Sequence, residues 1–374
     1  MREKGTEENR LRSLPRKLGI AATLFCLSAF LFAPPSIAQQ QPLPHGVPPG
    51  TPAKPAAPAQ QAPPAKIVVP SNAVLVSVTV KDRQGLLVGG LTKDDFRIFC
   101  DDVEQVITYF SADAFPLSAV VLVDDDLAST QAAQVQRSLT AIAAGFGPKD
   151  EVALITYDQF PHVVSEFSFN NDLLFTQLKR LDLNSHFSNI PDTGPMTAGP
   201  MINGQSQATG VPTVGATINP STKDMDDAIF AAGEMLKSRG HDRRKIIFLI
   251  TDGNNSRTND HSFDETMQLL LNNDVSVYAI SVGHALLQKQ TRRLEHYAQG
   301  TGGDNFYASR AGDLGRLYPT VAEQARNQYT MVFSPQDLKK DKDYHPIEVR
   351  VRRPDLTILA REGFYQPGAA AKKK

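Results

Sequence analysis

The spacing of apolar positions changes character twice along the chain. Val74, Val76, Val78 and Val80 alternate with Leu75, Ser77 and Thr79, a period of two that predicts a strand. Asp82–Gly85 supplies a turn. Phe96, Ile98 and Cys100 alternate in a second strand, Asp101-Asp102 makes the next turn, and Val106–Phe110 reads as a third strand. This β segment is too small to fold alone. Cys100 reads as a small, half-buried strand residue.

From Ala119 the pattern becomes strand–helix–strand. Ala119–Val123 is an unbroken apolar run, which suits a strand covered on both faces. Val135, Leu139, Ile142 and Phe146, spaced by four, three and four, predict a helix capped by Ser129 or Thr130 and ended by Gly147-Pro148. Strands over Glu151–Tyr157 and His162–Phe169 and a helix over Asp172–Leu181 follow. Met225, Ile229, Ala232 and Leu236 define the next helix, and Ile246–Ile250 the next buried strand. Ser262 and Glu265 form a capping box for a helix through Leu271. A strand from Val275 to Ile280, a helix over Lys289–Gln299 and a helix marked by Leu314, Leu317, Val321 and Ala325 complete the alternation. The chain then turns β again at Tyr329–Phe333, Ile347–Val351 and Leu356–Ala360. The prediction is an α/β fold, a mainly parallel sheet with helices on both faces. The β segments that flank it are expected to pack together as one small β unit.

Other stretches have no period. Residues 185–221 are rich in Gly, Pro, Ser, Thr and Asn and too long for an ordinary connection. They form either a functional loop or a disordered insertion, and we take them as disordered. Their glycines make no Walker or dinucleotide fingerprint. Residues 39–66, rich in Pro, Ala and Gln, read as a flexible linker, and 367–374 as a disordered tail. Residues 1–38 read as a signal peptide. Arg10, Arg12, Arg16 and Lys17 precede the uncharged stretch Leu18–Phe32, and Ser36-Ile37-Ala38 offers a cleavage site. An uncleaved anchor is the alternative, although the stretch is short for a span and Pro34-Pro35 interrupts it. The protein is therefore expected to be exported, periplasmic or secreted, touching a membrane only through an uncleaved signal. Once the signal is removed, Cys100 is the one remaining cysteine, which excludes an intrachain disulfide and a cysteine metal site. A formal net charge of -1 gives no case for a nucleic-acid partner.

The candidate chemistry lies at the ends of the two buried runs. Ala119–Val123 enters Asp124-Asp125-Asp126, and Ile246–Ile250 enters Thr251-Asp252-Gly253. Ligands of open α/β sheets bind at the carboxyl ends of strands. Two strands delivering carboxylates to one edge would make an acidic pocket of the kind used by Mg²⁺ or Ca²⁺. The alternative is a set of solvated loop acids. Asp224, Asp226 and Asp227 lie in the first turn of a helix, where its dipole favours anions, and are assigned to no site. No nucleophile is paired with a base, the eight His are scattered with no H-E-x-x-H spacing, and His241 is expected to be exposed.

Short motifs then appear in a recognisable order: DRQG at Asp82–Gly85, GLTKDDF at Gly90–Phe96, EQVITYF at Glu104–Phe110, and Arg361–Tyr365 near the end. This layout resembles the VWFA-related family of exported bacterial proteins, of the acidobacterial type, and the middle region resembles a von Willebrand factor A (VWA) domain. The resemblance implies a VWA-type, Rossmann-like sheet over 116–326, with β segments at 67–115 and 327–366. It also implies a metal-ion-dependent adhesion site (MIDAS) of the form D-x-S-x-S, a loop Thr and a later Asp. The match is partial. Asp124 takes the first position and Asp252 the last, while Asp126 and Ala128 stand where the two Ser would be. The Thr position falls at Thr222 or Lys223, with Lys223 in register. Two remedies follow. Asp126 replaces a hydroxyl as an anionic ligand of Mg²⁺ or Ca²⁺, or the Lys223 ammonium substitutes for the metal. Without either, the three carboxylates would raise one another's pKa. We expect the metal-free arrangement.

The function implied is a non-catalytic module that mediates protein–protein interaction or adhesion in the cell envelope, with an unidentified protein partner. Two alternatives stay open. Asp124-x-Asp126 also resembles the D-x-D of haloacid-dehalogenase-type phosphatases, in which Asp124 would attack phosphorus, Asp252 hold Mg²⁺ and Lys223 steady the phosphoryl group. The other alternative is a purely structural envelope scaffold.

Overall fold

The alternation at Val74–Val80 becomes β1 (Val74–Lys81), with Val76 and Val78 wholly buried. β2 (Phe96–Cys100) and β3 (Val103–Gln105) form a hairpin across Asp101-Asp102. Their φ angles of 50° and 69° are those of a two-residue turn that matches the strand twist. The single strand predicted over Val106–Phe110 begins one residue later, as β4 (Ile107–Ser111), and Val106 is 70% exposed. β3 pairs with β2 whereas β4 belongs to a different sheet, so the ladder breaks at Val106 where the chain changes sheets.

The remaining elements are β5 (Leu117–Asp124), α1 (Ser129–Ser138) with a 3₁₀ continuation over Leu139–Gly145, β6 (Glu151–Tyr157), β7 (Pro161–Ser168) and α2 (Asn171–Arg180). A two-residue ladder, β8 (Met201–Ile202) with β9 (Gln205–Ser206), comes next. Then follow α3 (Met225–Lys237), β10 (Arg244–Thr251), α4 (Phe263–Asn272), β11 (Val275–Val282), α5 (Thr291–Gly300), β12 (Asp304–Ala308), α6 (Ala311–Arg326), β13 (Tyr329–Phe333), β14 (Tyr344–Val351), β15 (Thr357–Ala360) and β16 (Gly363–Tyr365). This computed structural model describes residues 73–183, 201–202, 205–206, 223–283, 291–308, 310–339 and 342–366. The expectations for 1–38, 39–66 and 367–374, for most of 185–221 and for Thr222 lie outside those residues.

The central sheet has the order β12-β11-β10-β5-β6-β7, with β7 antiparallel to β6 and every other neighbour parallel. From β5 the chain lays strands outward in one direction, then returns to β10 and continues in the other. This is the doubly wound arrangement, and its switch point lies between β5 and β10. Successive residues of β5 feed opposite cores. Val121 and Val123 pack with Val135, Leu178 and Leu314, while Val120 and Leu122 pack with Ile229, Leu270 and Leu294. Burying each such side chain contributes about 1.5–3 kcal/mol. A Cβ on Gly303 would lie 1.9 Å from the Val277 carbonyl oxygen, so only glycine lets the chain enter β12 against β11.

The segments before and after this domain contribute to two further sheets, β15-β1-β13-β4 and β16-β14-β2-β3. Val76 pairs with Met331 and Ile98 with Val349, and Val76, Val78, Ile98, Met331 and Phe333 lie in one core. Cys100 is fully buried in that core rather than half-buried, because it faces the opposing sheet from the last position of β2. Burial pushes its thiol up to about 11, which leaves it inert as a nucleophile at neutral pH. The predicted cap of α1 also differs. Ala128 occupies the cap position, and no side chain caps the helix there. Among the described residues no helix is long and apolar enough to cross a membrane.

Candidate functional site at the switch point

β5 and β10 end side by side, and each delivers an aspartate in the same local geometry. Asp124 Oδ1 accepts from the Asp126 N–H at 3.1 Å, and Asp252 Oδ1 accepts from the Asn254 N–H at 2.9 Å. Each carboxylate therefore uses one oxygen to fold its own turn, two residues on. The other oxygen of each turns to Lys223, whose Nζ lies 3.1 Å from Asp124 Oδ2 and 3.0 Å from Asp252 Oδ2. Thr251 Oγ1 also donates to Asp124 Oδ2 at 2.8 Å and accepts from the Tyr157 hydroxyl at 2.8 Å. Asn254 Nδ2 donates to Asp252 Oδ2 at 2.9 Å. The triad is largely shielded from solvent: the Lys223 side chain is 1% exposed, that of Asp124 0% and that of Asp252 11%.

Burial raises Asp124 to about 6, with the Lys223 charge pulling it back and Asp252 pushing it up further. Burial works against the Lys223 charge, but the two carboxylates together outweigh it and hold the ammonium above its usual range. Burial also pushes the Tyr157 hydroxyl well up, so it acts as a neutral donor.

The structure thus joins Asp124, Asp252 and Lys223. Asp126 meets them through its backbone N–H, and Thr222 lies outside the described residues. A divalent cation does not fit this arrangement. Such ions need oxygens at about 2.0–2.6 Å from several directions. Both available Oδ2 atoms already converge on a covalently tethered cation. The Ala128 side chain offers no ligand atom. Among the described residues no three of His, Cys, Asp and Glu are grouped to hold a metal.

The aspartates at the head of α3 do more than answer its dipole. Asp224 Oδ1 accepts from the Ser256 hydroxyl and from Thr258 Oγ1. Asp226, 1% exposed, is held by Arg293, by the Tyr297 hydroxyl at 2.8 Å and by Asn255 Nδ2 at 3.0 Å. Asp227 receives the His261 ring Nδ1 at 2.8 Å and two backbone N–H groups. Together they fix the 253–262 loop, and the Ser256 N–H in turn donates to the Lys223 carbonyl at 2.6 Å. Reading the sequence did not identify Thr251, Tyr157 or Asn254 as partners of the site. The signal for Thr251 was its place between the buried run and Asp252. Tyr157 and Asn254 had none.

No protein-family model matches the chain, and no curated protein does. Among solved structures it is similar to proximal thread matrix protein 1 from the mussel byssus, at 14% identity over 58% of this chain and 49% of that one, with a TM-score of 0.40. The chain thus spans about half the length of the mussel protein. It is also similar to BatB from Bacteroides thetaiotaomicron (10% identity, 56% of this chain, 98% of that one, TM-score 0.38). A third is the von Willebrand factor type A structure from Catenulispora acidiphila (9% identity, 78% and 74%, TM-score 0.42). With strands wound in both directions from β5, helices on both faces and the paired aspartates at the switch point, the middle of this chain is a doubly wound α/β domain.

Proposed function

We propose that the protein is an exported, non-catalytic binding module of the cell envelope, periplasmic or secreted, that engages a protein partner without a metal ion. The observation that carries this reading is the Lys223 ammonium, seated between Asp124 Oδ2 and Asp252 Oδ2 at 3.1 and 3.0 Å. It supplies from within the chain the positive charge that the resemblance assigns to Mg²⁺ or Ca²⁺, and so makes the adhesion site degenerate. Export rests on the basic, apolar and small-residue order of residues 1–38. The burial of Asp124 weighs against the phosphatase-like alternative. An attacking carboxylate has to reach phosphorus, and this one is 0% exposed with its oxygens engaged by Lys223, Thr251 and the Asp126 N–H.

The test is thermal unfolding of the wild type in EDTA and in millimolar Mg²⁺ or Ca²⁺. The expected result is the same melting temperature in all conditions. A rise that grows with cation concentration would reject the metal-free site, because a ligand that binds only the folded state stabilises it by mass action. A pull-down from the envelope fraction with the mature protein then identifies the partner. Recovery of none would favour the scaffold alternative.

A further inference from the structure

At the opposite end of the sheet from Lys223, β10 begins with two buried cations that have no carboxylate in contact among the described residues. Arg244 is 7% exposed and Lys245 4%. Among the described residues the other cations of the domain that are at least partly buried each meet an acid: Lys223 meets Asp124 and Asp252, Arg239 and Arg243 meet Glu151, Arg293 meets Asp226 and Arg326 meets Asp150, and beyond the domain Arg361 meets Asp274. Arg244 has neutral partners instead: Ser77 Oγ at 3.0 Å, Thr330 Oγ1 at 3.0 Å and the Gln328 carbonyl, with its guanidinium over the Phe115 ring. Its Nε is buried and has no hydrogen-bond partner among the described residues. A buried cation without a counter-charge is costly, and an orphaned buried donor adds to that. Burial lowers the pKa of both Arg244, to about 10, and Lys245.

These two residues line a cleft of about 20 Å³ between β1 of the flanking sheet and the starts of β10 and β11, where His241, Arg243 and Asp274 also stand. Arg361 and Asp274 line its continuation past Leu75 and Ser77. The Asp274 carboxylate is already engaged by Arg361 at 2.8 Å, and by His241 at 3.4 Å. Arg243 is matched by Glu151. What remains is Arg244, Lys245 and Arg361 against Asp274, three positive charges and one negative, an excess of two before His241 is counted. The volume suits one water-sized group. One oxygen of a ligand enters, therefore, and the rest of the molecule stays at the mouth beside His241, which is 52% exposed.

We propose that this cleft is an anion site for a dianionic oxyanion of the phosphate type, held by the positive charge of Arg244 and Lys245 in its lining. The excess of two charges fits a dianion better than a carboxylate, and charge-assisted hydrogen bonds to guanidinium and ammonium are the strong ones. The site lies on the amino-terminal side of the sheet, away from the Lys223 triad, and does not depend on how that triad is read.

The probe is inorganic phosphate, titrated at constant ionic strength against acetate and chloride, with unfolding temperature and calorimetric heat as readouts. Phosphate also stabilises proteins generally by exclusion from their surface, an effect that does not saturate and is shared by variants. The expected result is a saturable phosphate response in the wild type that acetate does not reproduce. Half-saturation should shift about tenfold in Lys245→Gln, the loss of one of those two positive charges. Should Lys245→Gln fold poorly, calorimetry on the wild type and on the exposed-rim variant His241→Glu decides instead, with the added negative charge weakening phosphate binding. A non-saturating response, equal in wild type and variants, or equal responses to acetate and phosphate, would overturn the proposal.

Discussion

Replacing Lys223 with Ala removes the one positive charge between two carboxylates, and the structure sets the size and pH dependence of the result. Breaking a buried ion pair by deleting one partner costs about 3–5 kcal/mol, because the other charge is left uncompensated. Lys223 and Asp124 are essentially inaccessible, while Asp252 is 11% exposed and can be partly rehydrated. The variant also has an escape, since Asp124 can take up a proton. It already titrates at about 6 with the ammonium beside it, against 3.8 for an ordinary Asp. Without the ammonium its pKa rises further. Together these relieving effects place the expected loss at the low end, about 3 kcal/mol at pH 7. The sign of the pH dependence follows from linkage. A carboxyl whose folded pKa is raised favours the folded state while protonated, so its penalty grows as pH rises and fades as pH falls. Between pH 6 and the higher pKa of the variant, the folded variant holds up to one more proton than the folded wild type. The stability gap should therefore shrink by up to about 1.4 kcal/mol for each pH unit descended toward 6. Urea unfolding of both proteins at pH 6, 7 and 8 measures this. Millimolar Ca²⁺ should recover part of the loss in Lys223→Ala and leave the wild type unchanged. A loss below about 0.5 kcal/mol at pH 8, as for an ordinary surface change, would show that the lysine is not a structural counter-ion.

Asp101→Asn should destabilise the protein by about 2 kcal/mol at pH 7, because the Asp101–His345 pair is buried at 2.6 Å while Asn keeps the left-handed turn. Burial opposes the Asp101 charge, but bonds from His345 and the Lys339 N–H outweigh it and hold its pKa below 3.8. This contribution is present above pH 3.8 and lost as pH falls through the lower folded value, so acid unfolding of the two proteins should converge there. Asp226→Asn should cost about 2–3 kcal/mol in urea unfolding, and adding Arg293→Ala should cost far less than the two single changes summed, since both break one contact. Mass spectrometry of the native protein should find an amino terminus near Gln39. Intact Met1 in a membrane fraction would instead establish an anchor.

The strands that could be read from the sequence are those in which one force dominates. β5, β10 and β11 are buried at every position; unbroken apolar runs, Ala119–Val123 and Ile246–Ile250, mark the first two, while Val275, Val277, Ala279 and Ile280 mark β11. β1 and β2 bury one face and alternate. β12 was not legible. DNFYA lies at the sheet edge, half-buried over most of its length, and its polar entry reads as loop. β16 has only three residues and takes its structure from pairing with β14. The same distinction holds at the site. Asp124 and Asp252 could be found because the ends of buried runs are positions defined by the sequence. Thr251 and Tyr157 could not be connected, since their hydrogen bond spans 94 residues and depends on which strands become neighbours.

A tethered ammonium and a bound divalent ion differ in what they leave available. A metal brings two charges and can keep a coordination position open to an outside ligand. Lys223 brings one charge, and two of its three donors are already committed to Asp124 and Asp252. While Asp124 is ionised, the triad therefore carries a net negative charge, and an acidic group approaching this edge meets repulsion instead of a free ligand position. The lysine also fixes structure in a way that an exchangeable ion could not. Its backbone carbonyl accepts from Ser256 and its side chain bonds the ends of β5 and β10, so one residue joins the entry to α3 with the switch point. Conservative replacement tests this double role. Lys223→Arg keeps the charge, but a planar fork cannot occupy the point between two Oδ2 atoms in the same way. It should unfold more readily than the wild type while remaining indifferent to Ca²⁺. A cation response in Lys223→Arg equal to that of Lys223→Ala would show that the position of the charge, and not its presence, keeps the ion out.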